Sequence, residues 1–171
     1  MNGFVNTLAH RGLVGGMLAL AALGTGTQAH AATTTSSIAV AAAVLQTCVV
    51  SASALAFGTY DPTSATPADS TTTILVTCSL ATTYNVGLSA GGGSGASVAT
   101  RKLTSGGNTL DYGLYTSAAR TTVWGNTVGT DTVSGTGTGL PVSYTVYGRV
   151  AAQQSVPAGA YTDTVTVTVT Y

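Results

Sequence analysis

Charge is what this sequence has least of. Lysine, arginine, aspartate and glutamate together make up 6% of its 171 residues, against roughly 25% in an average soluble domain. Glutamate is absent, and Lys102 is the single lysine. With a formal net charge of zero there is no basic footprint, so no nucleic-acid partner is expected. Disorder is a poor reading as well. It goes with low hydrophobicity and high net charge, whereas mean hydropathy here is +0.38.

Histidine is almost as scarce. His10 and His30 are the two, and both lie in the N-terminal stretch. That stretch has one cation, Arg11, then the apolar run Leu13–Gly24, then Ala29-His30-Ala31. A basic start, a short apolar centre and a small-x-small site mark a secretory signal peptide, expected over 1–31 with cleavage after Ala31. The run is shorter than the about 20 residues of a membrane span; an uncleaved anchor is the alternative. Residues 32–171 remain, with four cations against five aspartates and neither histidine nor glutamate.

Those absences exclude most chemistry. A Ser-His-Asp or Cys-His nucleophile cannot be assembled, and a zinc site loses its commonest ligands. Asp61, Asp69, Asp111, Asp131 and Asp163 sit beside turn-forming residues or between strand-like runs, where aspartate is usually a turn or loop residue. The glycine stretches at 90–97 and 134–139 lack the Gly-Lys-Ser/Thr of a phosphate loop and open no helix, so they read as loops or hairpin connections. No catalytic residue, cofactor or metal is expected, and the chain is not read as an enzyme. Cysteine is down to Cys48 and Cys78. Export would carry them into an oxidising compartment, where one disulfide is the natural pairing; two buried thiols are the alternative.

Threonine, valine, serine, alanine and glycine fill the rest, a composition that reads as all-β. Ile38, Val40, Ala42 and Val44 alternate through 33–47, and Cys48-Val49-Val50 continues the extended run. Strand patterns follow at 71–78, at 82–90 (Tyr84, Val86, Leu88), at 108–116 (Leu110, Tyr112, Leu114) and at 141–150. Residues 56–62 read as a strand end before a turn, and 120–126 place Trp124 before another. No amphipathic helix appears. Six or seven strands at short spacing suggest a sandwich. The last stretch, YTDTVTVTVTY, alternates Val165, Val167, Val169 and Tyr171 with threonine. A strand needs a partner on each side or a protected edge, and no later segment of this sequence can supply one.

Taken in order, several motifs resemble a known family. They are Cys48 after an alternating segment, Phe57-Gly58-x-Tyr60, Ile74-Leu75-Val76-Thr77-Cys78, Tyr84-x-Val86-x-Leu88-Ser89 and Arg101-Lys102-Leu103. Leu110-x-Tyr112-x-Leu114-Tyr115, Val123-Trp124-Gly125, Tyr147-Gly148-Arg149 and Ala158-Gly159-x-Tyr161-x-Asp163 complete the set. Each is weak alone; their order and number are specific. The chain resembles a spore coat protein U-type domain, the pilin domain of archaic chaperone–usher pili. Its N-terminal segment is richer in alanine than that family leads one to expect.

The resemblance implies an incomplete immunoglobulin-like β-sandwich that lacks its last strand. It implies a 32–47 donor segment and a 48–171 pilin domain. A groove beside the C-terminal strand (Val165, Val167, Val169, Tyr171) would be filled first by a periplasmic chaperone. The N-terminal segment of the next subunit would replace the chaperone at an outer-membrane usher, a form of strand addition. Ile38, Val40, Ala42 and Val44 would be the plugs. A free leader, or one folded back into its own domain, stays open. The implied role is a structural subunit of a surface pilus exported through the periplasm, supporting adhesion and biofilm formation. A tip adhesin or a spore-coat-like surface protein is the alternative. Tyr112, Tyr115, Trp124, Tyr147 and Tyr161 read as packing residues rather than a sugar platform, and Arg149 and Asp163 are a candidate ion pair that the sequence alone does not locate together.

Overall fold

The computed structural model describes residues 30–171. The expected signal peptide therefore lies almost wholly outside the described residues. The chain divides after Ala41. Residues 30–41 carry no helix or strand and are exposed throughout.

From Ala42 onward the described fold is all β. Eight strands appear: β1 Cys48–Ala52, β2 Ala68–Cys78, β3 Thr83–Leu88, β4 Arg101–Ser105, β5 Asn108–Tyr115, β6 Val133–Thr136, β7 Val142–Val150 and β8 Val167–Thr170. They form a five-stranded sheet, β1-β2-β7-β5-β4, and a three-stranded sheet, β6-β3-β8. Every pairing is antiparallel.

The alternation in the sequence becomes the inward faces of these strands, because successive side chains on a strand point to opposite sides. Ile74, Val76 and Cys78 of β2 are buried, as are Tyr84, Val86 and Leu88 of β3. Leu110, Tyr112 and Leu114 of β5 and Val146 and Val150 of β7 join them. Each fully buried aliphatic side chain is worth about 1.5–3 kcal/mol, so the facing inner surfaces of the two sheets carry most of the favourable term. Trp124 fills the centre, and its indole donates to the Val86 carbonyl at 2.8 Å. The Tyr84 and Tyr144 hydroxyls meet at 2.8 Å.

Four elements depart from the sequence reading. Residues 56–62, read as a strand end before a turn, belong to no strand, although the turn after Asp61 is present, with the Ser64 amide on the Asp61 carbonyl at 3.2 Å. Residues 33–47 join no ladder, although their alternation is that of a strand. The 120–126 stretch is a loop, held by one bridge from Val123 to Tyr115 and by the Trp124 amide on the Leu114 carbonyl at 2.9 Å. The final run is a ladder only from Val167, because β3 ends at Leu88, the partner of Val167, before the glycine stretch. β4 and β6 are short and weakly patterned, and periodicity does not predict them.

Candidate functional site: an apolar groove along an edge strand

β8 lies at the edge of its sheet, paired to β3 on one side. Its side chains alternate in exposure from Tyr161 to Thr170. Val165, Val167 and Val169 turn toward the core and pack against it. Tyr171, grouped with them on sequence grounds, is 56% exposed and is not among the side chains packed against the core.

Across from this segment runs a strap, residues 52–60, that leaves the end of β1. Backbone and hydroxyl bonds hold it to β2. Ser53 N–H donates to the Thr73 carbonyl (3.0 Å), the Thr72 hydroxyl to the Ser53 carbonyl (2.9 Å) and the Ser70 hydroxyl to the Ala56 carbonyl (2.6 Å). Leu55 and Phe57 lie over Gly148 of β7, where a Cβ would strike both side chains.

Two cavities open beside the strap, one toward the edge strand and one toward the 156–161 segment that leads to it. One, of about 470 Å³, is lined by Ile74, Leu88, Leu114, Val146, Val165 and Val167 among others. The second, of about 750 Å³, is lined by Leu110, Val150, Val156 and Tyr161. Leu55, Phe57 and Leu103 border both. The result is one apolar groove alongside a strand whose outer edge has no partner among the described residues.

Polar groups fix the walls. The Asp163 carboxylate accepts from the Gly92 amide, the Thr164 amide and the Tyr112 hydroxyl, all at 2.7 Å. It ties the approach to β8 to the glycine stretch and to β5. Burial first, and then the Asp163 carboxylate, push the Tyr112 hydroxyl well above its ordinary range. Arg101 is fully buried. Its guanidinium donates only to carbonyls: Ser89 (2.8 Å), Val98 (2.9 Å), Leu88 (3.0 Å) and Trp124 (2.7 Å). Burial pulls its pKa down from the usual value, but a guanidinium keeps its proton under any ordinary condition. Sequence reasoning singles out Arg101 only as part of a motif. An isolated arginine beside a glycine-rich loop gives no sign that it will be buried.

Arg149 and Asp163 do not pair. Arg149 grips Asp69 through two bonds, 2.7 and 2.8 Å, with Arg120 3.3 Å away. The register explains it, since Asp69 faces Arg149 across β2 and β7. Asp61 accepts from Thr63, Asp131 from the Thr127 amide, and Asp111 holds Lys102 at 2.8 Å. Among the described residues no three His, Cys, Asp or Glu side chains gather as a metal site requires. Cys48 and Cys78 form a disulfide, joining the first residue of β1 to the last of β2.

Known proteins share this architecture. Residues 34–168 match the Spore Coat Protein U domain. The chain is 41% identical over 128 residues to Protein U of Myxococcus xanthus, covering 68% of this chain and 71% of that protein. It is also similar to a chain in the crystal structure of the CsuC–CsuE chaperone–tip adhesion subunit pre-assembly complex from archaic chaperone–usher Csu pili of Acinetobacter baumannii. There the TM-score is 0.52 at 26% identity, covering 75% of this chain and 40% of that one. The match to the domain runs through nearly all the described residues, so the chain belongs to the Spore Coat Protein U domain family.

Proposed function

We propose that this protein is a structural subunit of a chaperone–usher pilus, joined to its neighbours by donor-strand complementation. The observation that carries this reading is the groove: an edge strand with no outer partner among the described residues, Val165, Val167 and Val169 facing inward, and an apolar cavity beside Val165 and Val167. An open sheet edge over unfilled apolar surface invites another chain. The domains follow as a signal peptide at 1–31, a donor segment at 32–47 and a pilin body at 48–171. Ile38, Val40, Ala42 and Val44 are the plugs. Ile38, Val40 and Val44 are 88%, 90% and 92% exposed, an arrangement that favours burial elsewhere. The extended backbone supplies the ladder, and the alternate side chains enter the groove. Donation from head to tail repeats without closing, so it builds fibres.

A periplasmic chaperone covers the groove before assembly, an outer-membrane usher exchanges it for the next subunit, and the fibre stands on the cell surface in adhesion and biofilm formation. Likeness to a complex containing a tip adhesion subunit supports a second reading, placement at the fibre tip.

The test is to express residues 32–171 with and without 33–45 and to run each on a denaturing gel before and after boiling. The expected outcome is a boil-sensitive ladder that needs 33–45. A stable monomer in both cases would show that the sandwich completes itself, and would end the fibre reading.

A further inference from the structure

Large apolar side chains on a protein surface are ordinary when scattered singly. In this domain several gather at one pole. Three pieces of chain are stitched together there. The Ser79 amide donates to the Thr47 carbonyl (2.9 Å), and the Thr47 amide to the Ser79 hydroxyl (3.1 Å). The Ala81 amide donates to the Gly137 carbonyl (2.8 Å), the Gly137 amide to the Thr82 carbonyl (2.7 Å) and the Gly139 amide to the Cys78 carbonyl (3.1 Å). Gly137 must be glycine, because a Cβ would meet the Ser79 carbonyl oxygen. The Cys48–Cys78 disulfide sits in the same knot.

Each piece presents an apolar side chain to solvent. Leu80 is 78% exposed, Leu140 69%, Val49 67% and Leu45 82%. None of residues 42–50, 79–83 and 137–141 is charged. The platform is therefore uncharged, apolar and already rigid, so docking against it costs little ordering entropy.

We propose that this pole is a docking surface for a second copy of this chain, the copy whose groove receives the N-terminal arm. The inference rests on the donor-strand reading and deepens it. The occupant follows from the length of the tether. Val44, the last plug, is four residues before Cys48. Four extended residues span at most about 14 Å. Seating Val44 in a neighbour's groove thus brings the mouth of that groove within about 14 Å of the disulfide, opposite Leu80 and Leu140. Both plugs and groove belong to this one chain, which makes a second copy a sufficient partner. Contact at the pole would set the angle between successive subunits, which a single extended arm cannot do.

The experiment places a photoreactive benzoyl-phenylalanine at position 80, and separately at position 140, of residues 32–171. The ladder is allowed to form and is irradiated. The expected result is a boil-resistant dimer whose cross-linked peptides come from two copies. A paired variant, Leu80→Ser with Leu140→Ser, should lower the temperature at which the ladder dissociates in detergent by several degrees and leave the monomer's own melting unchanged. A ladder that forms normally but cross-links only within single chains, or dissociates like the parent, would overturn the docking pole and leave strand exchange standing. No ladder at all would remove strand exchange between copies, and the docking pole with it.

Discussion

Arg101 shows at the residue scale how a chain with so few charges uses one of them. A buried guanidinium without a carboxylate beside it is costly unless its donors are satisfied. Here four carbonyls, from the end of β3, the glycine stretch and the Trp124 loop, satisfy it. The side chain is a hub that holds three loops to the rim of the groove. Arg101→Met should lower stability by about 2–4 kcal/mol, because it orphans several buried carbonyls at once. Arg101→Lys should not restore it, since an ammonium cannot reproduce the fork. Urea denaturation of both variants checks this; a loss under about 0.5 kcal/mol for Arg101→Met would show that water replaces the guanidinium. Asp163 plays the matching part for the other wall, through Tyr112 and Gly92.

β1 is the clearest case at the scale of the element. It has five residues, four of them exposed, and lies at the sheet edge. Such a strand contributes little burial and would fray from its first residue. The disulfide closes a loop of 30 residues at that residue, worth on the order of 3–4 kcal/mol in the chain-entropy model. Replacing both cysteines by alanine should therefore cost about that much and should raise amide hydrogen exchange most in Val49–Ala52. Equal exchange in β1 with and without the bridge would show that the ladder to β2 suffices alone. β8 is the opposite kind of edge, short but inward-facing, and its weakness lies in the unfilled groove beside it.

Net charge near zero and the absence of histidine after His30 govern the whole molecule's response to pH. The Arg149 bonds, with Arg120 nearby, hold the Asp69 carboxyl below its ordinary 3.8. A depressed carboxyl pKa stabilises the fold above the unfolded value, and that contribution fades as pH falls through the lower folded one. The pair is partly exposed, so the effect is at most about 1 kcal/mol. Tyr112 and Tyr144 are raised above 10.0, chiefly by burial. A raised tyrosine pKa leaves stability intact below 10.0 and removes it as pH climbs further, because the unfolded chain ionises first. Stability measured by denaturant at stepped pH should form a plateau from about 4 to about 10, with a shallow acid edge and a steep alkaline one. A marked slope between 6 and 8 would contradict it. Such a plateau would suit the proposed fibre, which stands in the medium.

Much of this molecule is legible in the order of its amino acids. Alternation at Tyr84-Val86-Leu88 and Leu110-Tyr112-Leu114 determines which side chains are buried, because a strand repeats every two residues whatever its neighbours. The same pattern marks Val165, Val167 and Val169 as an inward face, and two cysteines with no competitor leave one disulfide to form. What the chain's own order cannot decide is pairing. Whether an alternating segment becomes a ladder depends on which strand lies beside it. Residues 33–47 are as well patterned as β8, yet they join no ladder, and where β3 stops the 161–166 stretch keeps only a single bridge, from Thr162 to Thr104 of β4. Tertiary structure alone buries Arg101 against four carbonyls, gives Arg149 to Asp69 rather than Asp163, and gathers Thr47, Leu80 and Leu140 at one pole. Nearly all of these contacts join residues well separated in sequence. Periodicity carries no information about such contacts; strand register and the packing of the two sheets create them.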